Sequence, residues 1–418
     1  MTAPPHAFRL ANGLRLLFEP LPGRKLAAVA VTVGTGSRND PSDVSGLAHI
    51  VEHLMFPRGR GPADSGHVER IEGAGGVCNA TTHRDYTSYH SIVPAEMLDT
   101  VLAWEARRLT AFTPTEPVLR TELGAVAQEI REARAEAGAL PWEAALAALF
   151  PGSRDGIGDI AQLRNISPQQ ARAFFDDHYT TDSLVLSVVA DATPQAVADT
   201  VDNLFGALPA GSTRPPMDTA AQCSAARTVQ PAHPTGPAQT DSPVTIRATP
   251  MPDPRAELHH YAAHVLLTHL LNNSRMPYLV RRTPSVLSAE LHCGHHGQWL
   301  NSISPDLLLA AVLLRPDAPA SAANAWQQPL RELADSPPSP EELRRTRNTF
   351  LLQHFRHMDS PLGRAIAHGR FATLFPDRPG LTGLPALFTG LTPDDMAVAA
   401  RRLLAQEWIV LAPPGNTA

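Results

Sequence analysis

The sequence predicts an α+β protein of two structurally similar domains, each a mainly antiparallel β-sheet flanked by α-helices, and three observations carry that expectation. At 418 residues the chain exceeds one ordinary core, since domains cluster near about 100–200 residues. A stretch from about 207 to 245 is crowded with Pro, Gly, Ser, Thr, Ala and Gln and lacks apolar periodicity, as a linker does. Beyond it the chain runs through the same kinds of element again. The expected boundaries are therefore a first domain over 1–210, a linker over 211–242 and a second domain over 243–418, although identity between the halves is too faint to establish a repeat.

The elements follow in order. Phe8 to Val33 reads as a strand, a turn at Asn12-Gly13 and a second strand, because that dipeptide between apolar runs is a strong hairpin signal. Helical periodicity then occupies about 44–56, 65–73, 95–110 and 115–137, with strand-like segments at 76–82 and 85–93. Thr113 as cap, Pro114 at the first helical position and Glu116 closing a capping box predict where the last of these helices begins. Leu184 to Ala190 is an unbroken apolar run suited to a buried strand. In the second half a strand near 243–250 precedes an apolar helix from about 256 to 272, and Ser339-Pro340-Glu341-Glu342 opens another long helix with a capping box.

Composition narrows the function classes. An apolar fraction of 43% with 18% charged residues belongs to a globular chain. A net charge of -6 provides no basic field, so no nucleic-acid partner is expected. No run reaches the roughly 18 apolar residues of a membrane helix, and the start lacks the pattern of a signal peptide, so no membrane partner and a cytoplasmic location are expected. Cys78, Cys223 and Cys293 are few, odd in number and far apart, which suits a reducing compartment and offers no disulfide framework.

The informative stretch is His49-Ile50-Val51-Glu52-His53. Leu47, Ile50, Val51 and Leu54 fit a helix packed on a core, and residues four apart share a helix face, so both imidazoles can address one metal. Glu52 lies beside them, placed to take a proton from a water at that metal. This order is the inverted form of the zinc peptidase helix. The same five residues would also suit a core helix with hydrogen-bonded histidines and a solvated glutamate.

A wider match favours the first reading. The run Gly36-Ser37-Arg38-Asn39-Asp40-Pro41, followed by Gly46-Leu47-Ala48-His49-Ile50-Val51-Glu52-His53-Leu54-Met55-Phe56, resembles the catalytic signature of the pitrilysin and insulinase family, the inverzincin metallopeptidases. The resemblance implies a zinc ion held by His49, His53 and a glutamate about 76 residues beyond the second histidine, the position of Glu129. It implies Glu52 as general base and a further functional carboxylate at Glu122, seven residues before Glu129 and so on the same helix face, where it would orient a ligand imidazole. Gly75 to Thr82, with Asp85, Thr87 and Tyr89, resembles the family strand bordering the zinc cleft. Cys78, Asn79, Ala80 and Thr81 would there bind substrate main chain as an added strand. Read alone, Cys78 suggests a nucleophile, but no partner histidine is implied by spacing.

The expected activity is that of a zinc-dependent metalloendopeptidase acting in a closed chamber, the alternative being a non-catalytic zinc-bearing assembly or peptide-binding subunit. In the second half the family carries an arginine and, seven residues later, a tyrosine that reach the zinc of a facing half or subunit. Here the arginine falls at Arg281 but the tyrosine position holds Ser288, which is too short to replace a phenol donor. An intact zinc motif with a broken pair implies the catalytic member of a heterodimer with a second half-length subunit, and a homodimer with altered contacts stays open. His260-x-x-x-His264 and the group His292, Cys293, His295 and His296 have no further ligands that sequence identifies, and are expected to be solvated or hydrogen-bonded.

Overall fold

The computed structural model describes residues 4–56, 66–135, 140–150, 153, 156–211, 228–229, 243–303, 306–377 and 383–411. These fall into two compact units. One draws on 1–130, 154–217 and 355–382, the other on 131–153, 218–354 and 383–418. The linker expected over 211–242 lies outside the described residues except for Gly211, Thr228 and Val229. Among the described residues no helix is long and apolar enough to cross a membrane.

The first unit is built on a six-stranded sheet of β1 (His6–Arg9), β2 (Arg15–Pro20), β3 (Leu26–Val33), β4 (Val77–Thr82), β5 (Thr87–Pro94) and β6 (Leu184–Ala190), in the order β1-β2-β6-β3-β5-β4. Only β2 and β6 pair in parallel; the other neighbours are antiparallel. The β1–β2 connection is longer than the two-residue turn expected at Asn12-Gly13. Leu10 donates to the Leu14 carbonyl at 2.9 Å, with Gly13 at φ +95°, so the loop holds three residues with glycine in the left-handed position. β6 is buried along its whole length and β3 along all but its first residue, which explains their continuous apolar runs: both faces of the sheet are covered.

One face meets α1 (Leu47–Leu54), α2 (His67–Gly73), α3 (Leu98–Thr110) and α4 (Glu116–Ala135) in a core that includes Leu16, Phe18, Val31, Ile50, Val51 and Val126. The other face presents Ala28, Ala30 and Val189 to Ala365 of the helix Pro361–Leu374. Small residues allow a close approach there: a Cβ on Gly369 would stand 2.1 Å from the Thr32 hydroxyl. α4 starts two residues later than the Thr113-Pro114 pair predicts. Leu119 donates to the Thr115 carbonyl, so Pro117 and not Pro114 occupies the first turn.

The second unit has a five-stranded sheet of β7 (Thr228–Val229), β8 (Val244–Pro250), β9 (Val286–Cys293), β10 (Leu307–Leu314) and β11 (Ile409–Leu411), ordered β7-β11-β8-β10-β9 and antiparallel apart from β7–β11. α5 (Trp142–Leu149) packs Trp142, Leu146 and Leu149 on Ile246, Leu307 and Ile409. Each sheet thus recruits a helix from the stretch of sequence that contiguous boundaries give to the other domain: α5 covers the second sheet and Pro361–Leu374 the first. Both helices are largely apolar and each would otherwise leave a sheet face in water.

Candidate metal centre

Burial of Leu47, Ile50, Val51 and Leu54 fixes the rotation of α1 and turns His49 and His53 to one side. The start of the helix is held from outside. Asp40 accepts from the backbone N–H groups of Gly46 at 2.7 Å and Ala48 at 2.8 Å, satisfying donors that a first helical turn leaves unpaired. Gly46 sits at φ +94°, and a Cβ there would come within 2.7 Å of Gly158.

α4 brings its carboxylates to the same place. Glu129 Oε2 lies 3.4 Å from His49 Nε2 and 3.4 Å from His53 Nε2. Two turns earlier on α4, Glu122 Oε2 stands 3.3 Å from His53 Nδ1, while His49 Nδ1 stands 3.0 Å from the Ile157 carbonyl. Each ring therefore has an acceptor at Nδ1, which fixes a tautomer that leaves the Nε2 lone pair toward the common point. This is the usual arrangement around metal-ligating histidines. The rings meet edge to face with centroids 4.9 Å apart, and one donor atom from each of His49, His53 and Glu129 lies within 4.8 Å of the other two.

These residues fit a zinc ion. Two donors each about 2.0–2.1 Å from a tetrahedral zinc stand about 3.3–3.4 Å apart, which is the carboxylate-to-imidazole spacing here, and two imidazoles with one carboxylate leave a fourth position open. The local field also favours positive charge. Burial alone would lower the His53 imidazole, yet the carboxylates of Glu122 and Glu129 push it up to about 9. His49 is likewise raised, burial being outweighed by the Glu129 hydrogen bond and nearby Glu52, and Glu129 is held well below the usual carboxylate range by the two imidazoles.

Glu52 is buried next to this pair and accepts a hydrogen bond from the Thr82 hydroxyl at 2.6 Å. Thr82 ends β4, so the strand and the carboxylate are tied together. β4 is the last strand of its sheet and pairs, among the described residues, only with β5. Val77, Asn79 and Thr81 are exposed, Cys78 and Thr82 half-buried and Ala80 buried, an open edge on which an extended chain can pair. Burial, reinforced by Glu105, pushes the Cys78 thiol up to about 11, which removes any thiolate character at neutral pH.

Arg281 is exposed on the helix Met276–Arg282 of the second unit, and Ser288 is half-buried on β9. His264 is buried with Nδ1 2.7 Å from the His260 carbonyl and is lowered to about 4, chiefly by burial, so the His260-x-x-x-His264 pair is structural. Sequence reasoning assigned no role to Thr82 or Asp40, both inside the quoted motifs. It missed Glu143, which lies beside His295 and His296 across 152 positions of sequence and gives no local signal.

The fold and this cluster together define a class, that of two-domain proteins built like metallopeptidases. Residues 15–152 match the profile of Insulinase (Peptidase family M16), and residues 165–350 that of the Peptidase M16 inactive domain. The chain belongs to the insulinase peptidase family M16. It is 27% identical over 198 residues to the Uncharacterized zinc protease YmxG of Bacillus subtilis, covering 47% of this chain and 48% of that one. It is 26% identical over 247 residues to the Mitochondrial-processing peptidase subunit beta of Blastocladiella emersonii, covering 58% and 50%. These alignments span about half the length of those relatives. A protease from Helicobacter pylori of known crystal structure shares the fold, with a TM-score of 0.83 at 20% identity over 98% of this chain and 100% of that one.

Proposed function

We propose that this protein is a zinc metalloendopeptidase that hydrolyses extended peptides, with His49, His53 and Glu129 holding the metal and Glu52 acting as general base. The observation that carries the reading is the convergence of those three donor groups at tetrahedral spacing with Glu52 buried beside them. A zinc ion supplies Lewis acidity toward the scissile carbonyl and toward water when bound. Glu52 takes the proton of the attacking water and delivers it to the leaving amine, and Thr82 fixes the orientation of its carboxylate. Glu122 keeps the His53 ring in the ligating tautomer. Substrate main chain pairs with the open edge of β4 along Cys78, Asn79, Ala80 and Thr81, so side-chain identity is weakly selected.

The proposal extends to assembly. With Ser288 at the position of the family tyrosine, Arg281 lacks its partner donor, and the full enzyme is a heterodimer whose second half-length subunit contributes the arginine and tyrosine that close a chamber. A second reading, a peptide-binding or assembly subunit without turnover, is favoured by the same serine and by the inactive-domain match of the second half. Glu52→Gln separates the two. Measured on the chain together with its partner, the variant should retain one equivalent of zinc and bind peptide but cleave nothing. If the unsubstituted complex cleaves no member of a peptide library while binding zinc stoichiometrically, the binding reading stands.

A further inference from the structure

The second unit contains another cluster with the same donor set. Glu143, on the first turn of α5, has Oε1 3.1 Å from His295 Nε2 and 3.5 Å from His296 Nε2, and one ligand atom from each of the three lies within 4.8 Å of the others. We infer that Glu143, His295 and His296 form a second metal site, which takes a divalent cation of the zinc class through two imidazoles and one carboxylate. The spacing brackets the roughly 3.3–3.4 Å expected between two ligands of a tetrahedral zinc, and no guanidinium or ammonium among the described residues neutralises Glu143 in its place.

The loop that presents the histidines is built for the purpose. His296 is in the left-handed region at φ +52°, a conformation that a non-glycine residue adopts at a cost, and it lies between Gly294 at +88° and Gly297 at +71°. A Cβ on Gly294 would stand 2.4 Å from the Gln298 carbonyl, so the turn tolerates nothing larger. Its base is anchored by buried Asp306, which accepts from the backbone N–H groups of His295 and Leu307, both at 2.9 Å, and from the Tyr261 hydroxyl at 2.6 Å. The Tyr261 oxygen in turn accepts from the Leu300 N–H at 2.9 Å. The imidazoles therefore meet with centroids 4.3 Å apart at 69°, held over the buried Trp142 ring.

The carboxylate is ready as a ligand. Glu143 turns a single oxygen, Oε1, to both His295 Nε2 and His296 Nε2. His296 is more than half exposed, which leaves the remaining coordination position to water and lets a metal enter without unfolding. Bound there, the cation would tie α5 to the β9–β10 loop, two segments of the second unit that are 152 positions apart.

The test is a zinc titration of the full chain, stripped with EDTA and followed by competition with a chromophoric chelator, with Co(II) absorption as an independent report of tetrahedral N/O ligation. Unsubstituted protein should bind about two equivalents, His49→Ala/His53→Ala about one, and that double variant with Glu143→Gln none. His296→Gly retains the left-handed backbone and removes only the ring, so it serves as the variant least apt to misfold; it should weaken the remaining site of the double variant by at least about tenfold. A folded His49→Ala/His53→Ala protein that binds no zinc would show a merely hydrogen-bonded cluster and overturn the inference, as would zinc binding in that background that ignores both Glu143→Gln and His296→Gly. A single equivalent lost with Glu143 but not with His49 would uphold this site while sinking the first, so the two readings fail separately.

Discussion

Two clusters with identical donors are assembled by opposite means. In the first, helical spacing does the work: His49 and His53 are four apart on α1, and Glu122 and Glu129 are seven apart on α4, so two straight elements suffice. In the second, neighbouring histidines cannot converge on a regular element, and they do so only because His296 takes a left-handed backbone and Asp306 braces the turn. A third cluster shows what removes the need for a metal. Glu105 on α3 is fully surrounded by protein, with His67 Nε2 at 3.2 Å and an ion pair to Arg108, whose permanent charge fills the place that a cation would take. Donor type alone therefore does not mark a metal site: at the two proposed sites the carboxylate faces imidazoles, whereas Glu105 also pairs with a guanidinium.

The comparison is broken most sharply at the base. In the first cluster Glu52 lies buried beside the histidine pair and outside the proposed ligand set, so Glu52→Gln should lower peptide turnover by roughly 100- to 10,000-fold at unchanged zinc content, whereas no substitution around Glu143 should change the chemical step. Stopped assays with zinc analysis on the same samples check both statements. Next in size is the support of the ligand rings. Glu122→Gln takes the charged acceptor from His53 Nδ1 and should weaken zinc at the first cluster by roughly 10- to 100-fold, while a chelator competition should find affinity at the second cluster unmoved.

This contrast also explains what could be read from the chain. The α1 motif is legible because a 3.6-residue period places apolar and ligating residues at once, whereas Glu129 and Glu122 on α4 were reached only through the family resemblance. The β4 strand and the α+β layering follow from local pattern as well. The recruitment of α5 and Pro361–Leu374 by the other sheet was not legible, since Trp142 or Ala365 declares that it will be buried but not against which sheet. Glu143 was hidden for the same reason: its partners come through a tertiary contact, and the positive φ that aims His296 leaves no mark in a His-His-Gly sequence.

Backbone strain at His296 gives a smaller effect with a definite sign. In metal-free protein His296→Ala keeps the strained φ of +52° without the ring, whereas His296→Gly relieves it, so the glycine variant should be more stable by about 1 kcal/mol in urea unfolding. Saturating zinc should raise the midpoint of the unsubstituted chain and shift these two variants less. Equal stability of the alanine and glycine variants would mean that the loop is not held in the left-handed form that the second site requires.

The third cluster is the control for the other two. Burial raises the Glu105 carboxyl, but Arg108 and His67 outweigh burial and hold it at about 2, below its ordinary value near 4.5. A depressed folded-state value means stability that is fully present above the unfolded value and is lost as pH falls through the window from about 4.5 to about 2. Glu105→Gln should therefore flatten the acid limb of the stability curve while costing stability at pH 7, and EDTA should leave that limb where it was. If chelation moved it, the guanidinium would not be the charge that satisfies Glu105, and the rule separating this cluster from the two imidazole sites would fail.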